Sequence, residues 1–265
     1  MDDQASPITR LFIGWPHDIA VAGAFLTRLP FRPKGNAGGN AHASDLSRAM
    51  RAFPLIGALV GGIAGGGLWL AAQADLHPLA CAFIGLIIAA GVTGALHEDG
   101  LADVADGMGG YDRERRLEIM RDSRSGAFGV LALILAIGLK AAILAGLPGP
   151  GLAWGAFVAA AALSRAVMPV CMIILTPARE DGLGQGAGRP EMSEIAQALA
   201  IGGIVAIAVL GWGLGLGAML AALAAVLLTG WLARARFGGY TGDVLGAVQQ
   251  SAEIFILIVV GAILP

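Results

Sequence analysis

GAFGVLALILAIGLKAAILAG, residues 126–146, is an apolar run broken by a single charge, Lys140. A helix of about 20 such residues matches the hydrocarbon thickness of a bilayer. Comparable runs cover residues 54–72, 79–96, 152–175 and 244–264. The tract 195–233 is too long for one crossing, and Gly211, Gly213, Gly215 and Gly217 offer a turn within it. About seven spans follow. Residues 15–31 are short and interrupted by Pro16, Asp18, Arg28 and Pro30, so an interfacial or re-entrant helix is expected there. The expected fold is an all-α polytopic membrane protein, a single integral membrane domain over residues 1–265.

Composition agrees. Of 265 residues, 57% are apolar and 14% charged, with a mean hydropathy of +0.76. Soluble domains carry about 25% charged residues, so a soluble enzyme, a disordered chain and a nucleic-acid binder are excluded. Cys81 and Cys171 lie inside apolar runs and suggest neither a disulfide framework nor a zinc site. The start, Met1-Asp2-Asp3-Gln4, lacks a basic n-region, so no cleaved signal peptide is expected.

Charge distribution sets orientation. Fifteen of the 17 Lys and Arg residues fall in the segments before span one, between spans two and three, four and five, and six and seven. Lys140 and Arg165 lie within spans. The positive-inside rule makes the basic face cytoplasmic, which places polar loops at about 97–125, 176–194 and 234–243 in the cytoplasm of an inner membrane.

The densest polar text is Leu96-His97-Glu98-Asp99-Gly100-Leu101-Ala102-Asp103-Val104-Ala105-Asp106-Gly107. If span two continues as helix into the cytoplasm, Asp99, Asp103 and Asp106 share one face at i, i+4 and i+7. Converging carboxylates call for a cation, and oxygen-only ligands favour Mg²⁺ or Mn²⁺ over zinc. Mg²⁺ commonly bridges carboxylates to phosphates, which points to phosphoryl transfer or pyrophosphate cleavage. The alternative is a solvated acidic stripe. Gly100 and Gly107 would admit a bulky ligand. His97 points away from the carboxylate face, leaving a substrate contact or an interfacial histidine.

Downstream, Asp112 is placed to cap a short helix. Arg113, Arg115 and Arg116 read as topology signals, whereas Arg121 and Arg124, beside Asp122 and Ser123, suit phosphate clamping. Lys140, Arg165 and Glu253 are intramembrane charges and functional candidates. The loop from Arg179 to Gly186 is glycine-rich. Thr241 can cap span seven, and Asp243 suits either the helix dipole or a metal.

Several of these pieces, in this order, resemble the cobalamin synthase (adenosylcobinamide-GDP ribazoletransferase) family. They are Phe25–Pro30, His97–Gly107, Leu117–Arg124, Ser164-Arg165, Asp181–Gly184 and Thr241–Ala247. The resemblance implies a Mg²⁺-dependent inner-membrane transferase joining adenosylcobinamide-GDP to α-ribazole or its 5′-phosphate, with release of GMP. On that reading Asp99, Asp103, Asp106 and Asp122 are catalytic candidates, and Asp99, Asp103, Asp106 and Asp243 are metal-ligand candidates. Substrate-contact candidates are Arg28, His97, Arg121, Ser123, Arg124, Lys140, Arg165, Arg179, Thr241 and Asp243. The expected partners are the two substrates and the lipid bilayer, with a homo-oligomer left open.

Two other readings stay open at this level. A CDP-alcohol phosphotransferase also places Asp-Gly-x-x-Ala-Arg at a membrane surface, but Asp99–Asp103 has one spacer fewer and Asp where Arg is expected. An ion-coupled transporter would use Lys140, Arg165 and Glu253, although no inverted repeat is evident.

Overall fold

The computed structural model describes residues 14–33, 43–122, 124–179 and 186–263. Ten α-helices order these residues: α1 (Trp15–Leu26), α2 (Ala43–Ala49), α3 (Phe53–Gln73), α4 (Pro78–Thr93), α5 (Leu96–Gly107), α6 (Arg113–Ile119), α7 (Ala127–Gly146), α8 (Pro150–Ile174), α9 (Met192–Phe237) and α10 (Gly242–Ile263). A 3₁₀ turn at Met50–Ala52 joins α2 to α3. Five helices are long and apolar enough to cross a membrane, and the bent pair α4–α5 is a candidate sixth span. α1, with 12 residues, is too short to cross.

α9 runs for 46 residues, about 69 Å at 1.5 Å per residue, or twice a hydrocarbon layer. It is two helices. Gly211 breaks it at φ 77°, ψ 174°, a region open essentially to glycine. Beyond the break the chain folds back, since an added Cβ on Gly215 would fall 2.9 Å from Ile207 Cα and one on Gly203 3.0 Å from the Met219 methyl. With α9 as two crossings and the bent pair as one, its apolar part being α4, the described residues reach the expected seven spans.

α8 forms the core. Ala156, Ala159, Ala161, Ala162 and Ala166 are fully buried along it. Gly57, Gly61 and Gly65 form a stripe on α3 that lies against its backbone, an added Cβ at Gly61 landing 2.7 Å from Phe157 O. Lipid supplies no hydrophobic drive between helices, so such close small-residue packing is what holds them. Trp154 Nε1–H adds a 3.0 Å hydrogen bond to Gly62 O. Cys81 and Cys171 are buried as small apolar residues. The outward residues of α9's second arm, among them Trp212, Leu220 and Trp231, are exposed as a lipid-facing surface requires.

At the α1 end, fully buried Asp18 receives Arg51 at 2.6 Å and Arg48 at 3.0 Å. The Arg51 guanidinium also lies 4.5 Å over the Trp15 ring. This pins the short first helix to the start of α3.

Candidate functional site

α4 does not continue into α5. Gly94 and Ala95 both adopt left-handed conformations, φ 67° and 55°, and the two helices meet at 93°. The straight extension expected from sequence is therefore corrected: the acidic helix turns across the end of the bundle. α5, with five ionisable side chains in 12 residues, lies outside the spanning segments. Arg28, expected to contact substrate, packs over Gly94 instead, and its backbone N–H donates to Val92 O at 2.7 Å. It secures the elbow.

α5 crosses α10 with backbones in contact. An added Cβ on Gly100 would lie 2.7 Å from Asp243 O, and one on Gly246 3.3 Å from His97 Cα. Gly100 thus admits α10 and also borders the cavity at this crossing, whereas Gly107 admits the Met120 side chain. The crossing brings His97 and Asp99 beside Asp243, and all three border a cavity of about 180 Å³ with Arg179, Tyr240 and Thr241. Thr241 Oγ accepts from Val244 N–H at 3.2 Å and donates to the Asp243 carboxylate at 3.2 Å, so the expected cap is formed and also orients Asp243. Arg179 lies 4.0 Å from Asp243 and donates to Leu117 O at 2.9 Å.

The three α5 aspartates keep their i, i+4, i+7 spacing but part at their tips. Asp106 accepts Gly126 N–H at 2.7 Å and Gly129 N–H at 2.8 Å, anchoring the free amides at the start of α7. Asp99 faces the cavity. Asp103 lies between them, and its pKa is pushed up to about 7, first by burial and then by Asp99, Asp243 and Asp106, with Arg179 opposing. Among the described residues no three Asp, Glu, His or Cys side chains close around an ion. Mg²⁺ needs no such cage, since it usually takes one or two carboxylates and completes its shell with water and phosphate. The donors fit that mode: all are oxygens, and the like charges crowding Asp103 outweigh the opposing Arg179.

Other candidates lie elsewhere. Arg121, Asp122 and Arg124 border an open groove with Asp106, Arg115 and Glu118. Arg124 grips Asp122 at 2.7 Å, and this hydrogen bonding holds the Asp122 carboxyl at about 2. So low a value makes it a poor proton acceptor near neutral pH. Ser123 and residues 180–185, with the glycine-rich turn, lie outside the described residues. Arg113 and Arg116 do more than set topology: they donate to Phe237 O at 2.9 Å and Arg236 O at 3.3 Å, cations on the carboxyl end of α9.

Lys140 and Arg165 do not border the cavity. They lie inside the bundle with Glu253, at 3.2 and 3.5 Å. Gln250 accepts from Lys140 at 2.8 Å and donates to Glu98 at 3.0 Å. Gln249 donates to Glu253 at 2.6 Å and to Ser164 at 2.9 Å. The two cations, expected to contact substrate, are thus engaged inside the bundle with Glu253 and Gln250. Glu98, Gln249 and Gln250 were missed as partners, although two glutamines inside an apolar run were the available signal.

Spanning helices that gather buried ion pairs within and carboxylates, a histidine and an arginine around a cavity at one end define an integral membrane enzyme. Residues 18–261 match the model of the CobS family, cobalamin-5-phosphate synthase, and the chain belongs to that family. A relative from Bradyrhizobium diazoefficiens is 44% identical over 92% of this chain and 93% of its own length. Others from Rhizobium etli and Sinorhizobium medicae are 42% and 43% identical, each over 91% of this chain and 94% of its own. All three are named adenosylcobinamide-GDP ribazoletransferase. No solved structure matches. Membership agrees with the resemblance and displaces the phospholipid and transporter readings.

Proposed function

We propose that the chain is the transferase its relatives' names describe: it joins the adenosylcobinamide phosphate of adenosylcobinamide-GDP to α-ribazole or its 5′-phosphate and releases GMP. The observation that carries this is the cavity at the α5–α10 crossing, where Asp99, Asp243, His97 and Arg179 meet beside Asp103. A ribose hydroxyl of the acceptor attacks the cobinamide-linked phosphorus. The new O–P bond forms, the bridging P–O bond to GMP breaks, and the hydroxyl proton passes to water. Two of the three carboxylates Asp99, Asp103 and Asp243 would hold Mg²⁺, which when bound would neutralise charge on the diphosphate and on departing GMP. Thr241 fixes the Asp243 carboxylate, Arg179 sets a positive charge facing it, and the elbow with the Gly100–Gly246 contact keeps both helices in register. Such reactions are carried mainly by positioning and electrostatics. The basic face, by the positive-inside rule, orients the cavity end toward the cytoplasm of the inner membrane.

Purified protein is incubated with adenosylcobinamide-GDP, α-ribazole and Mg²⁺, and GMP is assayed. Release that requires both substrates and stops with chelator is expected. No release, or turnover of a CDP-activated lipid instead, overturns the reading.

A further inference from the structure

The cavity has a lining of two kinds. Polar side chains come from α5, the start of α10 and Arg179 (His97, Asp99, Thr241, Asp243), and apolar ones from α1, the 3₁₀ turn, α3 and α8 (Phe25, Met50, Phe53, Met168, Met172). Phe25 and Phe53 stack with centroids 6.1 Å apart and planes 14° apart, and methionine thioethers pack well against aromatic rings. The volume, about 180 Å³, is slightly above the roughly 150 Å³ that holds benzene in an engineered apolar cavity. A small fused ring is of that order, and a corrin macrocycle is far too large.

His97 is 1% exposed, and among the described residues its Nε2 has no hydrogen-bond partner. A buried ring nitrogen needs a partner, which a hydrocarbon chain does not supply and a nitrogen heterocycle does.

We propose that this cavity is the acceptor subsite, seating the benzimidazole base of α-ribazole on the Phe25–Phe53 pair with a ring nitrogen at His97, so that the cavity selects the acceptor's base by size. The ribose hydroxyls then fall beside Thr241 and Asp243. This rests on the transferase reading and assigns the two substrates to different places: the acceptor base inside, the corrinoid outside.

The test is the split between Michaelis constants. Met168→Phe, which adds bulk to the apolar lining, is expected to raise KM for α-ribazole at least tenfold and leave KM for adenosylcobinamide-GDP within twofold. A riboside of benzimidazole without ring methyls should lose less. If that variant fails to fold, Phe25→Ala, at a half-buried position, is expected to give the same split. A rise in the donor's KM with the acceptor's unchanged, or no change in either, overturns the proposal. Absence of GMP release by the unaltered protein would defeat the transferase reading alone. Equilibrium dialysis of labelled α-ribazole then reads the subsite directly: binding at least tenfold weaker to Phe25→Ala is expected, and equal binding, or none to either protein, overturns it.

Discussion

Asp103 pairs a raised pKa with a definite sign of pH dependence. Its carboxyl titrates near 7 in the folded chain, against an ordinary value of 3.8. Between those values the folded chain holds a proton that the unfolded chain has released, so stability falls as pH rises through the window and levels above it. In chelator, the thermal midpoint of the purified protein should drop between pH 5 and pH 7, and Mg²⁺ at pH 8 should restore it. Asp103→Asn should flatten the slope and lower the rate of GMP release at least a hundredfold while the protein still inserts. A slope that persists in the variant would assign the titration to another group. Asp122 gives the contrasting expectation: held near 2 by Arg124, it stays ionised throughout, and Asp122→Asn should leave the pH–rate profile unshifted.

Among elements, the α5–α10 crossing tolerates no side chain at Gly100. Gly100→Ala should push α5 off Asp243, cost about 1–3 kcal/mol as overpacking does, and lower kcat more than it raises either KM. The buried cluster at α7, α8 and α10 is sensitive for another reason. Glu253 lies between Lys140 and Arg165, so Glu253→Gln leaves two cations without their shared anion and should cost about 3–5 kcal/mol, read as a lower thermal midpoint in detergent. Lys140→Met, which leaves Arg165 beside Glu253, should cost less. These elements also show how far the sequence could be read. The spans were legible because a bilayer demands long apolar runs, and Gly211 was visible as a turn inside one. The acidic helix was legible from its spacing. Its right-angle departure was not, because Ala95, an ordinary helix former, is the second left-handed residue and gives no local signal. Nor was the parting of Asp106 from Asp99, since the amides that draw it away belong to α7, a chain segment later. Lys140 and Arg165 were visible as costly charges, but a span's own text does not say which facing helix answers them.

For the whole molecule, Trp212 and Trp231 bracket the second arm of α9, about 28 Å apart along its axis, and both are exposed. Their separation matches a hydrocarbon layer with indoles at its two boundaries. Orientation is checked with single thiols, since both native cysteines are buried. Tyr111→Cys, at an exposed position beside the arginine-rich α6, should react with impermeant maleimide only from the cytoplasmic side, and Leu76→Cys, between α3 and α4, only from the other. The reverse pattern would invert the topology. In a short backbone pairing, Ala178 N–H donates to Tyr240 O at 2.8 Å and Tyr240 N–H to Thr176 O at 2.9 Å. It ties the exit of α8 to the start of α10, so the chain leaves and returns at one seam. Cutting the chain at Gly211, where an added Cβ would meet nothing within 4 Å, would give two pieces that each retain one side of that pairing. Co-expressed, they should reunite into a working protein by split complementation.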